Sequence, residues 1–488
     1  MGGIKDLDAV YVVSDLHMGG RGRGAQIFSQ SNLLAHLIRA LARENSDQQL
    51  AMVINGDMVD FLAEPRAKYF DPDGAVDKLD RIATDESFVD VWRALSDFVA
   101  TPNRLLVIVL GNHDLELALP HVRTHLLEIL AKGDASARGR VVLAFDGSGY
   151  LCTVGGAKVL CVHGNEVDPW NFTDYESLRR QCCAATFNYG RDEWIPNAGT
   201  KLVIEVINRI KKDFAVVDLL KPETSALVPT LCAIRPQLAS LTRKIAAASA
   251  RLSWDSLRRK IGFLGADDDL ELEGLADAIS PFTGPADAYR LDRPTRDALA
   301  QRMLEEVEAE LDVGVEPRPS SAVDFLSFAE MASFPIVDIS REDLLRACLK
   351  QLLSNHTFDL EIEDDTFLGL DASVGEDVRF LVAGHTHIER RLRRKDGRGL
   401  YFNCGTWARL IRFEPEMVAD ASRFEAIYGA MKKGTMAALD DEPGLVRPRP
   451  AVVCIEKRGH RTVGELMRVP VDEGGKLPPD LGSLLRPA

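Results

Sequence analysis

Leu105-Leu106-Val107-Ile108-Val109-Leu110-Gly111-Asn112-His113-Asp114 runs from six apolar residues straight into a turn residue, an amide, an imidazole and a carboxylate. The apolar part is short and rich in branched side chains, which predicts a buried strand. Chemistry placed just past a strand is held by a packed scaffold, and in α/β sheets sites gather at the carboxyl ends of strands.

The same grammar recurs on either side. Upstream, Leu50-Ala51-Met52-Val53-Ile54 ends in Asn55-Gly56-Asp57-Met58-Val59-Asp60, and Val10-Tyr11-Val12-Val13 ends in Ser14-Asp15-Leu16-His17-Met18-Gly19-Gly20. Helical spacing fills the gaps: Leu33, Leu34, Leu37, Ile38 and Leu41 predict one amphipathic helix within residues 27–43, and residues 88–99 and 115–131 read as others. Downstream, residues 141–145 and 150–154 read as strands, and Gly155-Gly156 turns a hairpin into Lys158-Val159-Leu160-Cys161-Val162, which ends in His163-Gly164-Asn165-Glu166. Far along the chain, residues 378–382 deliver Gly384-His385-Thr386-His387. A basic stretch with an Asp396-Gly397 turn follows, then Leu400-Tyr401-Phe402 leading into Asn403-Cys404-Gly405-Thr406, and a late strand at residues 451–455.

Between the strands that end in His163 and in Gly384-His385 the texture is helical. Leu202, Val206, Ile207, Ile210 and Phe214 form one apolar stripe, Leu238, Leu241, Ile245 and Leu252 a second, and Leu299, Met303, Val307 and Leu311 a third. Such stripes are the packing faces of helices. Residues 1–170 and 376–470 are therefore expected to form one discontinuous core, and residues 171–375 a helical insertion acting as a lid or cap. The proline-bearing residues 471–488 are expected to be a loose tail.

Composition narrows the partners. Of 488 residues, 46% are hydrophobic and 27% charged, as in a soluble globular protein, and the formal net charge is −15. That balance argues against general affinity for the nucleic-acid backbone. No apolar run approaches the ~18 residues of a membrane span, and Met1 to Asp8 shows no secretory pattern. The eight cysteines include no C-x-x-C pair, so they predict neither a thiolate zinc site nor a redox motif. A reducing cytoplasm is the expected setting.

The strand-end set Asp15, His17, Asp57, Asn112, His163, His385 and His387 offers oxygen and imidazole donors and no thiolate. Two ions about 3.5–4 Å apart need about that many protein ligands. Mixed Asp/Asn/His donors suit Mn, Fe or Zn better than Ca or Mg. Asp15-x-His17, Gly56-Asp57-x-x-Asp60, Gly111-Asn112-His113-Asp114, His163-Gly164 and Gly384-His385-x-His387 resemble, in order, the five motifs of the calcineurin-like metallophosphoesterases. The resemblance covers residues 10–170 and 376–460.

It implies an α+β fold, a four-layer α/β/β/α sandwich of two mixed sheets, interrupted here by the large helical insertion. It implies two divalent ions, Mn foremost with Fe or Zn as alternatives. Asp15, His17 and His387 would bind one ion, Asn112, His163 and His385 the other, and Asp57 both. A hydroxide between the ions would attack phosphorus. His113, beside ligand Asn112, fits the general acid, and Asp114 either orients it or caps the loop. Asp60 fits a partner of ligands or a loop hydrogen-bonder, and Asn403 support for the last histidine loop. The cluster Arg390, Arg391, Arg393, Arg394 and Lys395 either meets substrate phosphate or forms a solvated hairpin.

Two departures bear on substrate. Phe61-Leu62 follows Asp60, where the serine/threonine protein phosphatases carry Arg-Gly. His113 stands where the similar enzymes that cleave UDP-diacylglucosamine carry Arg. The expected activity is metal-dependent hydrolysis of a phosphomonoester, phosphodiester or pyrophosphate in a small-molecule, nucleotide or lipid-linked substrate. The alternatives are a nuclease of the same fold and a non-catalytic metal-binding scaffold.

Overall fold

A computed structural model describes residues 4–22, 26–168, 170–211, 214–220, 230, 233–234, 340–354, 358–470, 478 and 480–488. Five strands whose ends carry the candidate donors form where the apolar runs predict them: β2 (Ala9–Val13), β3 (Leu50–Asn55), β4 (Arg104–Val109), β7 (Ala157–Cys161) and β8 (Val378–Ala383). They divide between two mixed sheets. β2, β3 and β4 are parallel neighbours in a seven-stranded sheet completed by β5 (Val141–Ala144), β13 (Ala451–Arg458), β14 (Arg461–Arg468) and β15 (Arg486–Pro487). β7 and β8 are parallel neighbours in a six-stranded sheet with β1 (Lys5–Leu7), β6 (Tyr150–Val154), β9 (Glu389–Arg393) and β10 (Leu400–Cys404). β11 (Leu410–Ile411) and β12 (Val446–Arg447) form a separate antiparallel ribbon.

Register aligns the strand ends. Val13 pairs with Ile54 and Ile54 with Ile108, so the loops carrying Asp15, Asp57 and Asn112 leave one sheet side by side. Cys161 pairs with Val382, and Gly384 donates its N–H to the carbonyl of His163 at 2.8 Å, so the histidine loops leave the other sheet together.

Both faces of β2, β3 and β4 are buried, which is why they read as continuous apolar runs. Val10, Val12, Val53 and Val107 meet Cys161, Phe380, Val382 and Phe402 between the sheets. Val13, Ile54 and Ile108 face a helical layer that includes α1 (Ser31–Arg43), α2 (Ala75–Thr84), α3 (Val89–Ala100) and α4 (Pro120–Ala131). On the far side Leu381, Ala383 and Tyr401 pack against Phe367 and Leu370 of helix Asp365–Ser373. The order is helix, sheet, sheet, helix, the expected sandwich.

Several local expectations are adjusted. The helix expected over residues 115–131 is a 3-10 turn, Leu115–Ala118, followed by α4. Pro120 lacks an amide hydrogen and would break a helix running through it, whereas proline is well placed to open a new one. No element is expected over residues 61–87, yet α2 forms there and buries Ala75, Leu79, Ile82 and Ala83 at helical spacing.

The tail is not loose where it is described. Leu481 and Leu484 are buried on a short helix, Leu481–Leu484, and Arg486 pairs with Arg468 of β14. Apolar contact over Leu481, Leu484 and Leu485 outweighs the loosening effect of the nearby prolines.

Of the expected insertion, helices Tyr175–Phe187, Arg341–Ser354 and Asp365–Ser373 are described, and Leu202–Ile207 winds as a π-helix. The second and third apolar stripes lie outside the described residues. Phe214, Val216, Leu219, Leu345 and Leu349 share a hydrophobic cluster with Ile411, Phe413, Phe424, Ile427 and Met431. Residues from both ends of the expected insertion thus pack on the segment that follows β10. Among the described residues no helix is long and apolar enough to cross a membrane.

Candidate metal centre

The loops at the strand ends reverse sharply, and the backbone records it. Asp15, His17, Asp57, His385 and His387 have φ of 54°, 49°, 49°, 69° and 61°. Among the described non-glycine residues they share a positive φ only with Arg66, Asn103, Lys132 and Asn188. That region costs an L-residue roughly 1–3 kcal/mol and persists where surrounding packing imposes it. Neighbouring glycines make the convergence possible. A Cβ on Gly111 would overlap Asp57 Oδ1, and one on Gly384 would overlap Ser14 Oγ.

The predicted donors are brought together. Nε2 of His387 lies 3.3 Å from Asp15 Oδ1 and 3.0 Å from Nε2 of His17. Asp57 Oδ2 lies 3.6 Å from Nε2 of His17 and 3.3 Å from Nε2 of His163. Nε2 of His163 is also 3.3 Å from Asn112 Oδ1. Asp15, His17 and His387 each place a ligand atom within 4.8 Å of the others, and so do Asp15, Asp57 and His163. His385 stands outside both groups. Its Nε2 lies 2.7 Å from Asp168 Oδ2, while its backbone N–H donates to Asp15 Oδ2 at 2.9 Å.

Surrounding groups aim the donors. Nδ1 of His17 lies 3.3 Å from Asp60 Oδ2, leaving Nε2 for the centre. Nδ1 of His163 is 2.9 Å from the carbonyl of Asn55, and as a donor there it too frees Nε2. Thr406 Oγ1 donates to the Asp15 carbonyl at 2.7 Å, and Asn403 Nδ2 donates to the Gly384 carbonyl at 2.7 Å, the loop support expected of Asn403.

The electrostatics favour cations. Asp15, Asp57 and Asp60 are all buried. Among the described residues no lysine or arginine lies within ion-pair distance of them; only imidazoles do. Burial opposes the charge of Asp15, but His387 holds its pKa down to about 2. Asp57 is likewise held well below the usual carboxylate range by His163 and His113, against burial. Buried carboxylates without a fixed cation, facing imidazole nitrogens, are the donor set that divalent transition metals take. The residues present therefore fit such a group.

Asp60 has the supporting place expected of it, and it also makes the contact that adjacency in sequence suggests for Asp114. Its Oδ1 lies 3.2 Å from Nδ1 of His113 and accepts the N–H groups of Leu62 and Ala63. Asp114 instead accepts from the backbone of Gly111 and Met58 at 2.7 and 2.8 Å, the loop-cap alternative. Burial lowers the affinity of His113 for a proton, but Asp60 and Asp57 raise its pKa to about 9.

The basic cluster divides: Arg390 and Arg394 are buried, while Arg391, Arg393 and Lys395 are exposed, as on a solvated hairpin. Arg390 is buried against Asp364 and Arg394 against Asp371, Lys395 reaches Glu363, and Arg391 lies 3.7 Å from Glu361. Arg393 is exposed. The acidic partners lie in residues 361–371, which the charge pattern of the hairpin alone does not reveal. The sequence reading gives Asp168 no role. Its position shortly after the His163 motif is the one signal that marks it.

A family model described as calcineurin-like phosphoesterase matches residues 9–226. No curated protein matched the chain. The matched span holds the loops of Asp15, Asp57, Asn112 and His163; the strand bearing His385 and His387 lies beyond it and joins the second sheet. The chain thus carries a calcineurin-like phosphoesterase domain over residues 9–226, with clustered aspartate and histidine donors of the kind that hold metal ions in that family.

Proposed function

We propose that this protein is a dinuclear-metal hydrolase of phosphate esters or anhydrides in a small-molecule, nucleotide or lipid-linked substrate. The observation that carries the reading is the position of Asp57 Oδ2 between Nε2 of His17 and Nε2 of His163. A carboxylate there can serve two ions at once. Asp15, His17 and His387 would hold the first, and Asn112, His163 and His385 the second. Manganese suits the donors, as do iron and zinc.

When bound, the ions would supply Lewis acidity, stabilising charge on the phosphoryl oxygens and making water acidic enough to attack near neutral pH. The protein's own groups do the rest. Asp60 against Nδ1 of His113 leaves Nε2 of that ring to give a proton to the departing oxygen. The His113 side chain is 19% exposed, so a substrate can reach it. Asp168 accepts from Nε2 of His385 and so reserves Nδ1 of that ring for the second ion. Asp168 is a positioning residue in this scheme. Phe61-Leu62 after Asp60 supports a substrate other than a phosphoprotein.

The test is elemental analysis of the purified protein together with hydrolysis of p-nitrophenyl phosphate and its bis-ester in added manganese. Two equivalents of metal and turnover are expected. Full occupancy without hydrolysis of either ester would favour a metal-binding scaffold instead.

A further inference from the structure

Beside the candidate metal centre lies an open cleft that His387 and Thr406 border on one side. Phe358, Leu410 and Ile411 contribute an apolar wall, and Arg412 and Arg449 line it too. Ligand sites are mostly apolar clefts with a few placed polar groups. The two guanidinium groups stand apart from the buried arginines nearby, which are committed: Arg390 to Asp364, Arg394 to Asp371, and Arg409 to Asp440. Among the described residues, Arg412 and Arg449 have no ion-pair or side-chain hydrogen-bond partner. Arg412 is half-buried, and its guanidinium lies 4.6 Å from the centre of the Phe358 ring. Burial disfavours its charge by more than the nearby Glu414 and Glu389 support it. Glu389 lines the cleft, but Arg468 engages it in an ion pair.

A desolvated guanidinium without a paired anion is unfavourable, and a carboxylate or phosphate relieves it through paired N–H donors. We propose that Arg412 and Arg449 form an anion subsite, so that the preferred substrate carries a second anionic group on an apolar body beside the phosphate to be cleaved. The apolar body lies against Phe358, Leu410 and Ile411, and the second anion, a carboxylate or phosphate, meets Arg412 and Arg449 along the cleft lining. This inference rests on the phosphoesterase reading for its account of which group is cleaved.

Phenyl phosphate, 4-carboxyphenyl phosphate and 1,4-phenylene bisphosphate separate the possibilities. A KM about tenfold lower for a second-anion ester is expected, the size of one charge-assisted contact. A gain with 4-carboxyphenyl phosphate assigns a carboxylate, and a gain confined to the bisphosphate assigns a second phosphate. In R412M/R449M the KM ratio should fall towards one, and R412K/R449K should restore part of it. Equal KM for all three esters in the unaltered protein, or a preference that survives in R412M/R449M, overturns the subsite. If the double variant does not fold, R449M alone should reduce the ratio, and an unchanged ratio there counts against the proposal. Calorimetric binding of phenylphosphonate and 4-carboxyphenylphosphonate needs no turnover. Loss of a tenfold phosphonate preference in R412M/R449M, with none of the esters hydrolysed, would leave the subsite standing and sink the hydrolase reading. Equal phosphonate affinities would sink the subsite whatever the turnover.

Discussion

The two histidines of Gly384-His385-Thr386-His387 sit two residues apart and meet different fates. His387 already touches Asp15 and His17 across the gap between the sheets. His385 is held by Asp168 instead. One side of the centre is closed by groups that all point inward. The other depends on a carboxylate from the loop after the His163 motif to orient its last imidazole. The difference teaches that strand ends place the candidate donors, while neighbouring acceptors, Asp60 at His17, the Asn55 carbonyl at His163 and Asp168 at His385, choose which ring nitrogen is presented.

The largest expected effect is one that abolishes the difference by removing what both sides share. Asp57→Asn should cut kcat/KM by roughly 10³-fold or more, since losing the shared carboxylate forfeits several kcal/mol of transition-state stabilisation. Elemental analysis should show metal lost along with it. Near-normal turnover in that variant would end the two-ion reading.

His113→Ala should leave metal content unchanged and slow turnover by roughly 10²–10⁴-fold. The loss should be smaller for p-nitrophenyl phosphate than for an alkyl phosphate, because nitrophenolate departs without a proton. Equal losses for both would show that His113 serves some purpose other than acid catalysis.

Asp168→Asn tests the asymmetry itself. The affinity for the second ion should fall by roughly 10–100-fold while the first is retained, as titration calorimetry with manganese can resolve. Equal weakening of both ions would show that the two sides are not independently built.

The smallest effect contrasts two buried carboxyl groups. Asp60 faces His113 and His17, which depress its pKa against the pull of burial. Glu116 is buried too, but with no imidazole against it burial raises its pKa to about 7. At low pH, below the unfolded value, Glu116 is protonated in both states and exacts no penalty. As pH rises the unfolded chain ionises first, so stability falls until the folded group also ionises near pH 7. Glu116→Gln should therefore raise Tm at about pH 8 and change it little at about pH 4, by a free energy of at most ~3 kcal/mol. A Tm gain equal at both pH values would mean that ionisation of Glu116 is not the cause.

The centre was legible in the sequence because each donor follows a short apolar strand. Leu105 to Leu110 must be buried on both faces, and Gly111 to Asp114 must then leave at the carboxyl end of the strand. Other features depend on contacts far apart in the chain. Asp60 serves His113 because the two loops leave adjacent strands, whereas adjacency in sequence suggests Asp114. Arg390 and Arg394 look like a solvated basic run until Asp364 and Asp371 are seen beneath them. Leu481 and Leu484 look like part of a proline-broken tail until they bury against the helical layer.

What the chain by itself determined is the strands that carry the candidate donors, the order of those donors and the family likeness, since hydrophobic period and residue type are local properties; the short and edge strands β1, β11, β12, β14 and β15 came only with the fold. Only the tertiary structure decided which carboxylate holds which imidazole and which arginines lack a partner. A buried charge is stabilised by whatever packs nearest in space, and nearness in space is set by strand register and sheet packing rather than by position along the chain.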